Sequence, residues 1–246
     1  MVLFMKIILA TPPEYSSMAA ATGLDPAFMS YSYVNGRLRS APYRRSGRGG
    51  VMHINLAGQM KSSAPDEIMR ELDSRDLNGV ALDTANECGS EATARLASML
   101  DASGRTLYLP CERGVPECAV SLVCTGISGG SLEAMLREAV KLRGAERIAL
   151  ETELLRMDFS LPCPSGEGQV PEPARFKKLL DGASVFFSEE LCTNYFSYTE
   201  AGKVHFVLFD NAHSIRRKLS LAESLDISTA FLYYPDVRHI LGDIIR

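Results

Sequence analysis

Two hydrophobic patterns alternate along the chain. Short, mostly apolar runs have the length of strands covered on both faces, and between them apolar residues recur every three or four positions, as in amphipathic helices. The predicted strands are 5–10, 28–34, 51–57, 78–83, 106–110, 119–125, 147–151 and 229–234, with a further apolar run at 204–209. This alternation predicts βα units that assemble into a parallel sheet.

Helix start and stop signals frame several of the intervening stretches. Ser90 and Ser131 are suitable N-caps, and Gly104 and Gly144 follow the corresponding apolar stripes. Helices are predicted within 16–22, from 63 onward, over 90–104 and 131–144, around 176–180, over 215–222 and within 237–245. The stretch 37–50 shows no helical period, so the second helix of the alternation is expected to be missing.

Length and composition select among the parallel α/β folds. The chain has 246 residues, and a (β/α)8 barrel needs about 250. Hydrophobic residues make up 46% and charged residues 23% of the chain, which is enough for a large core without disulfides or metals. The sequence therefore predicts an α/β fold with one (β/α)8 TIM-barrel domain over residues 1–246. Pro162–Pro173 is expected to be a surface insertion.

Charge and cysteine usage limit the partners. The net charge of −4 gives no general attraction to nucleic acid or to an anionic membrane. No stretch approaches the ~18 apolar residues of a membrane span. Met1–Ala10 contains Lys6 and is interpreted as a strand rather than a signal peptide. That interpretation predicts a cytoplasmic protein. The six cysteines include no Cys-x-x-Cys pair, so we expect reduced thiols and no metal site. No cofactor is predicted. The sequence makes no prediction of the oligomeric state.

An acidic residue ends the fourth predicted strand. Asn78-Gly79 forms a turn, an apolar run follows, and Asp83 closes it, with Glu87 just beyond. In parallel barrels the carboxyl ends of the strands carry the chemistry. Asp83 is therefore the first candidate catalytic residue.

The segment around Asp83, Leu-Asn-Gly-Val-Ala-Leu-Asp-Thr-Ala, resembles the signature of the family 18 glycoside hydrolases, the chitinases and their relatives. That signature reads approximately Phe-Asp-Gly-Ile-Asp-Ile-Asp-Trp-Glu. The chain matches it at Gly79 and Asp83 and differs at Asn78, Ala81 and Ala85. Ala85 stands where the family has its general acid.

Further segments are similar to the family in the same order. Tyr33–Leu38 is similar to the Asp-Gly-x-Leu turn that follows the family's second strand, and Gly202–Asn211 with Ser214 and Lys218 is similar to a later run of strand, Asp, Ser-Ile and Lys. Tyr233 takes the place of a tryptophan at the end of the last strand. The resemblance covers most of the chain and implies the same barrel.

The resemblance also implies a mechanism. Active members use the acetamido oxygen of the substrate as nucleophile and need one protonated carboxylic acid, whose pKa must be raised. The aspartate matched by Asp83 orients the acetamido group. Alanine at position 85 cannot donate a proton, and loss of a general acid costs ~10²–10⁴-fold in rate.

Three hypotheses follow. The first is a family 18-like barrel without glycosidase activity that binds a saccharide or an anionic small ligand at the C-terminal face. The second is an active, divergent glycosidase of the N-acetylglucosaminidase type that uses Asp83 with Glu87, or the pair Glu151 and Glu153. The third is a protein-interaction scaffold without a small ligand.

Candidate ligand-binding residues come from several strand ends. Glu151 and Glu153 alternate along the seventh strand and can share its inner face, where like charges would raise one pKa; the alternative is a pair of surface contacts to Arg147 or Arg156. Arginines of the 37–50 loop can clamp carboxylate or phosphate groups, or can simply be solvated. The predicted ligand-binding residues are Tyr31, Asn55, Glu151, Glu153, Tyr233, Arg44 and Arg45.

Overall fold

The structure, a computed structural model, describes residues 5–43, 49–84, 88–110 and 114–246. The strands are β1 (Lys6–Thr11), β2 (Asp25–Val34), β3 (Arg37–Ser40), β4 (Val51–Leu56), β5 (Gly79–Asp83), β6 (Thr106–Leu109), β7 (Val120–Cys124), β8 (Ile148–Thr152), β9 (Arg156–Leu161), β10 (Phe186–Ser188), β11 (Thr193–Glu200), β12 (Lys203–Phe209) and β13 (Thr229–Tyr233). The helices are α1 (Ser16–Ala20), α2 (Ala64–Arg75), α3 (Glu91–Ala102), α4 (Leu132–Arg143), α5 (Pro173–Leu180), α6 (Ala212–Glu223), α7 (Tyr234–Val237) and α8 (Leu241–Ile244).

A closed parallel barrel forms the body of the protein. Within the described ranges its eight strands are β1, β2, β4, β5, β6, β7, β8 and β13. The ring closes at β1, where Ile8 lies opposite Phe231 of β13 on one side and Asp25 of β2 on the other. The predicted (β/α)8 barrel is confirmed.

A layer of mostly apolar side chains fills the middle of the barrel. Its members are Ile8, Ala27, Val51, Ala81, Tyr108, Val120, Leu122, Ala149 and Phe231. Successive residues of a strand point to opposite faces. Asp83 and Glu151, two positions after Ala81 and Ala149, therefore lie on the inner side at the C-terminal end of the barrel.

The helices cover the outside of the barrel through apolar faces that the sequence pattern predicted. The described core residues of α2, α3, α4 and α6 include Ile68, Leu72, Leu96, Leu100, Leu132, Leu136, Ile215 and Leu219. Both predicted N-caps are present: the Ser90 hydroxyl accepts a hydrogen bond from the Thr93 amide at 3.2 Å, and that of Ser131 accepts one from the Ala134 amide at 3.3 Å.

A hairpin replaces the second helix of the barrel. Asn35 and Gly36 both have positive φ, 53° and 74°, as a two-residue type I′ turn requires. The turn reverses the chain, so Arg37–Ser40 pairs antiparallel with the end of β2. In the described part of the β2–β4 connection there is no helix, as predicted, but the expectation of an irregular loop from Arg37 is wrong for these four residues.

A second sheet lies between β8 and α6. Its four antiparallel strands have the order β10-β11-β12-β9, and α5 packs on the face that carries Phe196, Val207 and Phe209. The sequence pattern predicted an insertion only over Pro162–Pro173. The observed insertion extends over Arg156–Phe209, because the apolar run at 204–209 belongs to an antiparallel hairpin and not to a barrel strand.

Among the cysteines that the structure describes, Cys88 differs from the expectation. Cys88 is disulfide-bonded, whereas Cys118, Cys124, Cys163 and Cys192 are free thiols. The prediction of reduced thiols is therefore wrong for Cys88. Across the described ranges, the helices are too short or too polar for any of them to span a bilayer.

Candidate functional site

A cavity of about 160 Å³ opens at the C-terminal end of the barrel, and we call it the mouth cavity. Its floor is the inner layer of the barrel, including Ala81, Leu122 and Phe231. Its polar lining residues are His53, Asp83, Glu151, Thr152, Glu153 and Tyr233. Four of the residues predicted from the sequence, Asp83, Glu151, Glu153 and Tyr233, thus meet in one cavity.

Asp83 is the last residue of β5 and lies at the rim of the cavity, where its side chain is exposed. The β4–β5 register places Asn55 directly opposite it and His53 opposite Ala81. His53 is largely buried, and burial lowers the pKa of its imidazole despite the opposing effect of Asp83. His53 is therefore neutral at neutral pH.

Glu151 is the most enclosed of the three carboxylates. Burial raises the pKa of its side chain, and the negative charges of Glu153 and Asp83 raise it further. Glu153 follows the end of β8 and is exposed, yet it lines the same cavity. The three acids therefore interact electrostatically across the mouth cavity.

The alternative of surface ion pairs for Glu151 and Glu153 is wrong. Arg147 donates a hydrogen bond to the carbonyl of Cys118 at 2.7 Å, and the guanidinium of Arg156 lies 4.7 Å from the centre of the Phe176 ring. Among the ion pairs of the described residues, none involves Asp83, Glu151 or Glu153. The carboxylates are left without a cationic partner from these parts of the chain.

Neighbouring backbone holds Glu151 in place. The amide of Thr125 donates to the Glu151 carbonyl at 3.0 Å, and the Thr125 hydroxyl donates to that of Thr152 at 3.3 Å inside the protein. Cys124 lies opposite Glu151 in the β7–β8 register. Burial raises the pKa of the Cys124 thiol, with a smaller contribution from Glu151, so this thiol is protonated at neutral pH.

A buried ion pair anchors the loop that carries Glu153. Asp210 accepts hydrogen bonds from the Leu155 amide at 3.1 Å and from the Lys218 ammonium at 2.6 Å. Both side chains of the Asp210–Lys218 pair are inaccessible to solvent. This pair ties the end of β8 to the second sheet and to α6.

Tyr233 ends β13 and forms one wall of the cavity. Burial raises the pKa of its phenol, and the charge of Asp236 adds to the shift. The phenol is therefore neutral and offers both a ring face and a hydroxyl to a ligand. It occupies the strand end where the family resemblance places a tryptophan.

Tyr31 does not lie at the mouth cavity. It is buried, and its hydroxyl is 2.8 Å from the hydroxyl of Tyr43 and 3.5 Å from the Glu71 carboxylate, outside the barrel. A register shift between Phe28 and Tyr31 in the β2–β4 pairing explains this placement. The extra residue of a β-bulge changes which side chains face inward.

Some predicted residues cannot be placed. Glu87, Arg44 and Arg45 lie outside the described residues, and so does Ala85, where the resemblance places the missing glutamate. Conversely, His53 lines the cavity although the sequence did not single it out. Its position two residues before Asn55, on the same face of β4, is the signal that would have identified it.

Comparison with known proteins gives structural neighbours only. No family sequence model and no curated protein matches the chain. The spore cortex-lytic enzyme SleL of Bacillus cereus has a TM-score of 0.70 and 14% identity, covering 98% of this chain and 74% of that chain. A family 18 N-acetylglucosaminidase from Paenibacillus barengoltzii has a TM-score of 0.66 and 12% identity, covering 98% of both.

A third neighbour is a family 18 chitinase from Cycas revoluta in complex with (GlcNAc)3, with a TM-score of 0.61, 12% identity and 97% coverage of both chains. At these identities the likeness is one of fold. It agrees with the closed parallel barrel. The chain therefore has the barrel fold of the family 18 glycoside hydrolases, and the resemblance first seen around Asp83 is confirmed at the level of the fold.

Proposed function

We propose that this protein binds a saccharide in the mouth cavity and lacks the hydrolytic mechanism of the family 18 enzymes. The observation that carries the proposal is the meeting of Asp83, Glu151, Glu153 and Tyr233 around one cavity. Carboxylates and a phenol are suitable partners for sugar hydroxyl groups, and Tyr233 can pack against a pyranose ring. The alanine at position 85 removes the proton donor on which the family's route depends.

The structural neighbours support the choice of ligand class. One is named an N-acetylglucosaminidase, and another was crystallised with (GlcNAc)3. The predicted alternative, an anionic ligand, fits this cavity less well, because three carboxylates without a described cationic partner would repel it. A saccharide without negative charge is therefore the favoured ligand.

Ligand-dependent melting tests the proposal. Chito-oligosaccharides should raise the melting temperature of the wild type, since a ligand at 100 times its Kd adds ~2.7 kcal/mol of stability. Asp83→Ala should abolish the shift. Asp101→Ala should preserve the shift. Asp101 is exposed near the C-terminal end of α3, the helix that leads into β6, and it does not line the mouth cavity. If no oligosaccharide raises the melting temperature of the wild type, the result contradicts the proposed function and favours the scaffold hypothesis.

A second candidate function is glycoside hydrolysis by a divergent route. Glu151 favours it, because a carboxyl whose pKa is raised by burial and by two neighbouring acids can hold the proton that a general acid must donate. Release of 4-methylumbelliferone from N-acetylglucosaminides by the wild type, abolished in Glu151→Gln or Asp83→Ala, would establish this function. A wild type without turnover supports the binding protein.

The cytoplasmic location remains a prediction, and the disulfide weighs against it. Disulfides persist mainly in oxidising compartments, and Cys88 is disulfide-bonded. Thiol titration of the protein isolated from its host, with and without denaturant, would decide: six reactive thiols are expected in a reducing compartment.

A further inference from the structure

We infer that Cys88 is bonded to Cys111, and that this disulfide joins two loops at the rim of the mouth cavity, so that its reduction loosens the rim beside Asp83. The two loops are residues 84–90, after β5, and residues 110–119, after β6, and we call them the mouth loops. The inference concerns the covalent structure of the protein and does not depend on which ligand the cavity binds.

The state of the cysteines is the first observation. The chain has six of them, and Cys88 is disulfide-bonded. Four others are free thiols, namely Cys118, Cys124, Cys163 and Cys192. Cys111 lies outside the described residues, and by elimination it is the cysteine of this chain that can pair with Cys88.

Close approach of the two mouth loops is the second observation. Gly89 follows Cys88, and a methyl group on Gly89 would lie 3.4 Å from the carbonyl oxygen of Gly114. Gly114 has a positive φ of 70°, a conformation that favours glycine. A disulfide requires the Cα atoms of its cysteines to lie within about 7 Å of each other. The contact between Gly89 and Gly114 shows that the two loops run side by side, as the inferred bond requires.

The surroundings of Cys88 exclude the other partner that proximity suggests. Cys88 is buried in the same cluster as Ala92 and Leu96 of α3. Cys118, in the second mouth loop, packs against that cluster and is nevertheless a free thiol. Cys111 therefore remains the partner although a second cysteine packs against the same core.

The strand pairing shows what the disulfide holds together. On β5 the pairing with β6 ends at Ala81, and two residues beyond the last pair on each strand, Asp83 and Pro110 line the mouth cavity. Cys111 follows Pro110 directly, and four residues separate Asp83 from Cys88. The described β5–β6 pairing does not reach this level, so the disulfide is the covalent link between the two strand ends at the rim.

Reduction removes this link. A dithiol reductant supplies two electrons and two protons, the S–S bond breaks, both cysteines become thiols, and the reductant closes to its own disulfide. The bond closes the stretch 88–111, which contains α3 and β6. Breaking it returns conformational entropy to the unfolded chain, so the folded protein becomes less stable. In the folded protein it also allows the two mouth loops to move independently.

Peptide mapping without reduction tests the pairing. The wild type is folded in a buffer of reduced and oxidised glutathione, denatured with an alkylating reagent and digested. We expect one linked pair of peptides, containing Cys88 and Cys111, and alkylation of the four cysteines that are free thiols in the structure. A link from Cys88 to any other cysteine, six alkylated cysteines, or a disulfide-linked dimer on a non-reducing gel would overturn the inference.

Melting temperatures test whether the two cysteines act through one bond. Cys88→Ser and Cys111→Ser should each lower the melting temperature by about 5–10 °C, and the double variant should lower it no further. Cys163→Ser, which replaces a free thiol, should leave it unchanged. Dithiothreitol should lower the melting temperature of the wild type and not that of the double variant. Additive losses in the double variant, or a double variant that still responds to dithiothreitol, would overturn the inference.

Hydrogen exchange of the wild type locates the region that reduction loosens, and it stays decisive if a variant fails to fold. Dithiothreitol should speed the exchange of amides in peptides that cover 79–90 and 106–119 severalfold. Amides of 189–192, between β10 and β11, should keep their rate. Unchanged exchange in both mouth loops after complete reduction would overturn the inference. Because these measurements use no saccharide, each outcome leaves the proposed function to its own test.

Discussion

Glu151, in the mouth cavity, is expected to make the stability of the fold depend on pH. A carboxyl with a raised pKa in the folded state binds more protons there than in the unfolded chain, at pH values between the two pKa values. Its contribution to the free energy of unfolding therefore falls as the pH rises through that interval. Above it, the ionised Glu151 destabilises the fold.

Replacing the Glu151 carboxyl with a neutral amide should remove this destabilisation. We expect Glu151→Gln to unfold at a higher temperature than the wild type at neutral pH, with the difference vanishing below the ordinary pKa of a glutamate. Thermal melts over a pH series check this, with Glu138→Gln, an exposed α4 residue, as the matched control. A variant less stable than the wild type at neutral pH would contradict the electrostatic account of the cavity.

Tyr31 and Asp83 show where sequence reasoning works at the level of residues. Asp83 could be placed because it ends an apolar run with regular alternation, and the fold carries the ends of parallel strands to one face. Tyr31 could not, because the β-bulge before it is a local backbone choice with no signature in the apolar pattern. One inserted residue moves a side chain from the barrel interior to the helix layer.

The new placement of Tyr31 predicts a structural role. Tyr31→Phe removes a buried hydroxyl that lies 2.8 Å from that of Tyr43, so we expect a loss of about 1 kcal/mol in the free energy of unfolding. Urea denaturation measures the loss, and calorimetric titration should show unchanged saccharide binding. Weakened binding at normal stability would return Tyr31 to the ligand site.

At the scale of elements, the second sheet is the part of the fold that the sequence pattern did not predict. The run Val204–Phe209 is mostly apolar, like a barrel strand, and its partner Thr193–Glu200 contains three aromatic residues among polar ones. Only the pairing of the two across the turn at Ala201 and Gly202 reveals an antiparallel hairpin. Helix ends such as Ser90 and Ser131 could be predicted because a cap depends on residues adjacent in sequence.

The Asp210–Lys218 pair joins α6 to the loop after β8, and we call it the joint. Removing one of its charges should destabilise the protein. Lys218→Met leaves the Asp210 charge buried without a cation, so we expect a loss of about 3–5 kcal/mol in the free energy of unfolding. The double variant Lys218→Met, Asp210→Asn should lose less, because it removes both charges. Denaturant unfolding of the single and double variants measures the difference.

The Asp210–Lys218 pair should also affect saccharide binding. Asp210 holds the Leu155 amide at 3.1 Å, two residues after Glu153. Loosening that joint should therefore weaken saccharide binding even in variants that remain folded. A Lys218→Met variant with the stability of the wild type would show that the pair is not the joint described here.

At the scale of the whole molecule, the barrel and the second sheet share a core. Cys192, beside the start of β11, is buried in the same cluster as Leu132 of α4 and Ile215 of α6. The Leu132 amide also donates to the carbonyl of Glu190 at 2.8 Å. Contacts of this kind couple the unfolding of the parts that they join.

A single cooperative transition is therefore expected for the whole chain, in agreement with the prediction of one domain over residues 1–246. Differential scanning calorimetry should give equal calorimetric and van't Hoff enthalpies for the wild type. In Lys218→Met, where one joint is lost and the shared core remains, the peak should broaden toward two transitions. Two resolved peaks in the wild type would instead show that the second sheet is a separate folding unit, because a shared core would not allow one part to unfold while the other stays native.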